Sequence, residues 1–93
     1  MDIRHEPQNN RFVAEVDGNE AVLEYVDRGG GVLDYRHTFT PPALRGQGIA
    51  KHVVVFALEH ARSHELKIIP TCPYVAKIIA EQDQYQSLVA ARG

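Results

Sequence analysis

With 93 residues the chain is long enough for one domain and too short for two. Its apolar fraction of 44% and charged fraction of 24% are those of a globular protein with a single, thin core. The Lys and Arg residues number 10 and the Asp and Glu residues 12, a net charge of −2 that gives no broad electrostatic reason to bind nucleic acid or an anionic membrane. Cys72 is the single cysteine, so no intrachain disulfide forms, as suits a reducing compartment. The opening MDIRHEPQNN lacks the apolar stretch of a signal peptide, and the run from Val53 to Leu58 is far short of the ~20 residues of a membrane span. The expectation is a cytoplasmic protein.

The first ten residues read as loosely ordered, then strand-like. RFVAEV, Arg11 to Val16, alternates apolar and polar side chains, Asp17-Gly18 supplies a turn, and EAVLEYV, Glu20 to Val26, continues in the same style. The triplet Gly29-Gly30-Gly31 breaks the chain, and VLDYRHTFT, Val32 to Thr40, is a third strand rich in aromatic and β-branched residues. Three strands with short connections predict an antiparallel meander.

The period then changes from two to 3.6. A helical wheel stepping about 100° per residue gathers Ile49, Ala50, Val53, Val54, Phe56, Ala57, Leu58 and Ala61 into one arc and Lys51, His52, Glu59, Arg62 and Ser63 into the other. Gly48 to about His64 is therefore an amphipathic helix, with Val55 misplaced on its polar side. LKIIPT, Leu66 to Thr71, is a short strand. Pro73 suits a helix start, YVAKIIAE from Tyr74 to Glu81 forms a second helix, and the tail is partly helical with Tyr85, Leu88 and Val89 as anchors. The order β-β-β-α-β-α predicts an α+β fold: an antiparallel meander, then a right-handed crossover that adds one parallel strand pair.

The stretch TFTPPALRGQGIA places two glycines at a helix entrance, where a polar side chain is the ordinary cap. The first turn of a helix carries unpaired N–H groups and partial positive charge, and glycines let a ligand come close to the main chain, most often a phosphate. The bland alternative is that Gly46 and Gly48 only permit a tight loop. The P-loop spacing is absent, and Lys51 stands where the dinucleotide fingerprint needs its third glycine.

Arg45-Gly46-Gln47-Gly48-Ile49-Ala50 reads Arg-x-x-Gly-x-Ala. It resembles the Gln/Arg-x-x-Gly-x-Gly/Ala signature of GNAT-type N-acetyltransferases, and it leaves a strand and opens a helix as that signature does. HTFTPP, RGQGIA and IIPTCPYV together are similar to the short, YjdJ-like branch of that superfamily, over about Val32 to Ile79. The resemblance implies a GNAT-like fold with a splayed parallel strand pair, and acetyl-coenzyme A as acetyl donor for a primary amine acceptor, a small molecule or a protein lysine. It implies that backbone amides from Arg45 through Gly46, Gln47, Gly48, Ile49 and Ala50 to Lys51 hold the pyrophosphate. The pantetheine arm would bond the strand Tyr35 to Thr40, where an N–H near Phe39 or Thr40 stabilises the oxyanion, an interaction worth about 3–4 kcal/mol. Family members are commonly longer, with helices near the N-terminus that wall the acceptor site. Here that side is expected to be open or completed by a partner subunit, with the oligomeric state undetermined.

Amine transfer needs a base for the acceptor and an acid for the leaving thiolate. His37 is the first choice of base, against the reading of a plain surface histidine. Cys72 follows the second splayed strand at a helix N-terminus, a place that favours a thiolate. It is a nucleophile or a proton donor, against the reading of a small buried hydrophobe. Tyr74 is the rival acid; Tyr85 reads better as a core anchor. His60 falls in the buried arc as a packed, hydrogen-bonded side chain, while His5, His52 and His64 have no evident partners. Arg45, Lys51 and Lys77 can pair with phosphates, although a solvated helix face serves as well for the two lysines. No metal site has convincing ligand spacing. Direct attack and an acetyl-cysteine route both stay open. Beside the enzyme stand two other readings, a non-catalytic coenzyme A-binding or sensing module and a purely structural α+β domain.

Overall fold

A computed structural model describes residues 1–90. The strands are β1 (Asp2–Glu6), β2 (Arg11–Val16), β3 (Asn19–Gly29), β4 (Val32–Phe39) and β5 (Lys67–Ile69), and the helices are α1 (Ile49–Ser63) and α2 (Pro73–Glu81). They form one five-stranded sheet in the order β1-β2-β3-β4-β5, antiparallel except for the parallel β4–β5 pair. The mixed α+β architecture is as expected. The meander, however, has four strands rather than three, because β1 pairs with β2 along its whole length.

The missed strand has a physical reason. β1 is an edge strand with one apolar residue, Ile3, so period-two alternation is faint. Ion pairs across the open sheet face dress it instead: Arg4 reaches Glu6 at 2.9 Å and Glu15 at 3.3 Å, and Arg11 reaches Glu6 at 2.7 Å. Hydrogen bonds from Arg11, Asn9 and Arg4 hold the Glu6 carboxyl down at about 2. Surface pairs of this kind contribute little singly; as a network, with backbone pairing, they keep a polar edge in place.

The core lies on the other face. Phe12, Ala14, Ala21, Leu23, Leu33 and Tyr35 from the sheet meet Val53, Val54, Ala57, Leu58 and Ala61 of α1 and Val75 and Ile78 of α2. Each large aliphatic side chain buried there contributes about 1.5–3 kcal/mol. Tyr35 lies fully inside, its hydroxyl donating to the Ala57 carbonyl at 2.6 Å. Two wheel assignments change: Phe56 is 36% exposed, and Val55 is half-buried and packed on the core.

α1 ends by backbone geometry. Arg62 lies in its last turn, where positive charge suits the helix dipole. Glu65 then takes a left-handed φ of 58°, and the Leu66 N–H returns to the Ala61 carbonyl at 2.8 Å, a Schellman closure without glycine. After α2, a 3-10 segment, Asp83–Leu88, buries Tyr85 and Leu88. Val89 anchors through its backbone rather than its side chain: it is 39% exposed but bridges Ile68 of β5.

Candidate active site

Pro41 and Pro42 end the extended run of β4 and start a 3-10 turn, Pro42–Leu44, anchored by buried Leu44. Gly46 and Gly48 follow with φ of 79° and 74°, a conformation that costs a residue with a Cβ roughly 1–2 kcal/mol. Glycine stands at this helix entrance for its backbone. Among the described residues no side chain caps α1. The first carbonyl engaged is that of Gly48, by the His52 N–H at 3.2 Å. Among the described residues, the six amides from Gly46 to Lys51 meet neither a backbone carbonyl nor a capping side chain.

Four of these residues, Gly46, Gly48, Ile49 and Ala50, line a cavity of about 230 Å³ together with Thr40, Leu44, Arg45 and Tyr74. Unpaired donors at the positive end of a fifteen-residue helix make an anion cradle. The motif's side chains brace the turn: Arg45 Nε donates to the Thr40 carbonyl at 3.0 Å, and Gln47 Nε2 to the Ala43 carbonyl at 3.1 Å. Lys51 and Lys77 are exposed. Tyr74 joins the cavity wall from α2, and burial, then Glu81, pushes its hydroxyl pKa up, so it keeps its proton near neutrality.

The strands part beside this cavity. β4 and β5 pair over three residues, ending at Asp34↔Ile69, and one more bond follows, from the Cys72 N–H to the Tyr35 carbonyl at 2.9 Å. β5 then turns off through Pro70, while β4 runs on to Phe39 with β3 as its paired neighbour. An edge of β4 is thus open to main-chain hydrogen bonding. Asp34, buried at the last rung, clamps the fork: Thr71 Oγ1 donates to it at 2.5 Å and Arg28 Nη2 at 3.0 Å. Burial alone would raise its pKa, but these two bonds, with the charges of Arg28 and Arg36, outweigh that and hold it below the usual carboxylate value.

A β-bulge decides which side chains enter the fork. Tyr25 pairs with Tyr35 and Glu24 with His37, so Arg36 is unmatched. Simple alternation from Tyr35 would carry His37 and Phe39 toward the helices. The extra residue reverses this, and Thr38, opposite the buried Leu23, takes that side. Thr38 Oγ1 lies 3.7 Å from Cys72 Sγ. Cys72 is 4% exposed and precedes α2. His37 and Phe39 are exposed on the open face instead, so the sheet separates His37 from Cys72. The structure therefore brings Thr40, Arg45, Gly46, Gly48, Ile49, Ala50 and Tyr74 together, sets Cys72 at the fork, and leaves His37 across the sheet.

Sequence reasoning passed over Thr38, Asp34 and Thr71. The bulge leaves no mark in the pattern, but a carboxylate between Leu33 and Tyr35, in the otherwise apolar first half of the strand, was a usable signal. The histidines also differ from expectation. His5 Nε2 shares a 2.7 Å hydrogen bond with the Tyr25 hydroxyl and stacks on Phe12 at 4.5 Å. The rings of His60 and His64 stack at 4.1 Å.

Three comparisons bear on this arrangement. The family model for the GCN5-related N-acetyl-transferase matches residues 11–88. Protein NATD1 of Mus musculus is 36% identical over 88 residues, covering 92% of this chain and 80% of that one. Protein NATD1 of Homo sapiens is 35% identical over 88 residues, with 92% and 78% covered. The NMR solution structure of a GCN5-like protein from Staphylococcus aureus superposes with a TM-score of 0.73 at 28% identity, over 99% of this chain and 90% of that one.

Proposed function

Since the chain belongs to the GCN5-related N-acetyltransferase family, we propose that it transfers acetyl from acetyl-coenzyme A to a primary amine. The observation that carries this reading is the row of six unpartnered amides from Gly46 to Lys51, beside a strand edge left open by the β4–β5 fork. The amides receive the diphosphate, and the free edge of β4 at Arg36 to Thr40 pairs with the pantetheine amides. The donor supplies an activated thioester carbonyl. The protein holds it beside Cys72 and Tyr74, with a main-chain N–H near Phe39 or Thr40 facing the developing oxyanion. Tyr74, kept protonated, is placed to return a proton to the leaving sulfur. An amine arriving from the open face meets His37, which takes its proton.

A second reading, coenzyme A binding without turnover, is favoured by one fact. Among the described residues, the sole hydrogen-bonding contact of Cys72 Sγ is the Thr38 hydroxyl, which is no base. One experiment separates the readings. The chain is incubated with acetyl-coenzyme A with and without a panel of primary amines, and free thiol release and protein mass are followed. The enzyme releases thiol over many turnovers only with amine present, a single equivalent with an acetyl adduct on the protein marking the acetyl-cysteine route, and Cys72→Ala or His37→Ala slows turnover. Thermal stabilisation by coenzyme A without release selects the binding module. No stabilisation at all removes both readings, and full activity in both variants removes the residue assignments.

A further inference from the structure

The sulfur of Cys72 is held in an unusually restricted place. Its residue's backbone is fixed from two directions: the Cys72 N–H is bound to the Tyr35 carbonyl at 2.9 Å, and the preceding Thr71 is tied through Oγ1 to the buried Asp34 at 2.5 Å. The Cys72 carbonyl accepts from the Ala76 N–H of α2 at 3.0 Å. With the main chain set, one rotation, about Cα–Cβ, remains to aim the thiol. The side chain sits in the apolar cluster with Val75 and Ile49, and the polar group in its reach among the described residues is Thr38 Oγ1 at 3.7 Å. A neutral thiol can donate to that oxygen, and a thiolate can accept from its O–H.

We propose that Thr38 is the positioning residue for Cys72, its hydroxyl fixing the direction of the sulfur and stabilising the thiolate. The inference rests on the reading of Cys72 as a participant in acetyl transfer, either as attacking sulfur or as proton donor. Both roles need the thiol aimed into the fork rather than turned into the core. The bulge at Arg36 is what makes the contact available, by bringing residue 38 to the helix side of the sheet. Burial makes the hydroxyl matter: in an apolar surrounding a thiolate loses most of its hydration, and one donated hydrogen bond to an ionised group is strong.

Two substitutions isolate the hydroxyl. Thr38→Val keeps the β-branched shape and removes the O–H, while Thr38→Ser keeps the O–H. On the full chain without coenzyme A, Cys72 alkylation by iodoacetamide is followed by intact mass between about pH 6 and 10, across the range where thiols ordinarily ionise. Thr38→Val is expected to slow alkylation about tenfold near neutrality and move the profile to higher pH, and Thr38→Ser to stay within about twofold of wild type. In acetyl transfer the same valine variant lowers kcat with KM for acetyl-coenzyme A little changed, because the turn amides are untouched. A valine profile that superimposes on wild type overturns the proposal. An alkylation shift in a protein that transfers no acetyl group in any form supports the Thr38–Cys72 coupling and removes the acetyltransferase reading instead. Should the valine variant melt too early to assay, Thr38→Ala answers the same question.

Discussion

Replacing Gly48 by alanine separates the two uses of the glycine turn. A Cβ at this position meets no heavy atom within 4 Å, so crowding adds nothing to the cost. What remains is the backbone, held at φ 74° and ψ 11°. That conformation costs alanine about 1–2 kcal/mol. For a domain of this size each kcal/mol moves Tm by about 4–8 °C, so a fall of about 4–16 °C is expected. Asparagine tolerates the left-handed region, so Gly48→Asn loses less. Coenzyme A affinity falls as well, since relief of the strain tilts the amides of Gly48 and Ile49. A hydrogen bond to an ionised group contributes about 1.5–3 kcal/mol, so a weakening of about tenfold to a hundredfold follows. Circular dichroism melts and titration calorimetry with coenzyme A read the two effects. If Ala and Asn variants both melt with wild type, the left-handed turn is not required. A lowered Tm with unchanged Kd refutes the amide cradle.

Two further predictions follow from the core and from the histidine stack. Tyr35→Phe removes the buried hydrogen bond to the Ala57 carbonyl. It should cost about 1 kcal/mol, or about 4–8 °C in a thermal melt, and an unchanged melt would deny that bond its role. Burial first, and then the charges of His5 and His64, lower the pKa of His60 to about 4 from its ordinary 6.5. The unfolded chain therefore binds the extra proton between those values, and stability present at neutral pH is lost as pH falls from 6.5 toward 4. His60→Gln should flatten urea-derived stability across that window; a slope equal to wild type would exclude the stack as its source.

Much of the frame was readable from residue order, and the parts that were not share a cause. The amphipathic period of α1, the prolines at 41, 42 and 73 and the Arg-x-x-Gly-x-Ala turn are local signals, and each landed where it pointed. β1 was illegible because a polar edge strand is held by partners in β2, five to thirteen residues on, rather than by an apolar period of its own. β5 came out shorter than LKIIPT because the turn at Pro70 diverts the chain before Thr71 can pair. Within the site, the turn glycines were legible from type and spacing alone. Thr38 and Asp34 were not, because one depends on a bulge and the other on a side chain, Thr71, brought from another strand end.

The unmatched Arg36 also bends the strand. Deleting it would leave Tyr35 and Thr38 on the faces they now occupy, since a regular ladder restores the same order, and His37 and Thr38 would still stand opposite Glu24 and Leu23. What the deletion removes is the local bend and added twist of a bulged strand. That bend falls one residue past the Tyr35 carbonyl, where β4 is last bonded to the chain that follows β5. The bulge is thus a corner in the sheet, turning β4 from its parallel neighbour where the cleft begins.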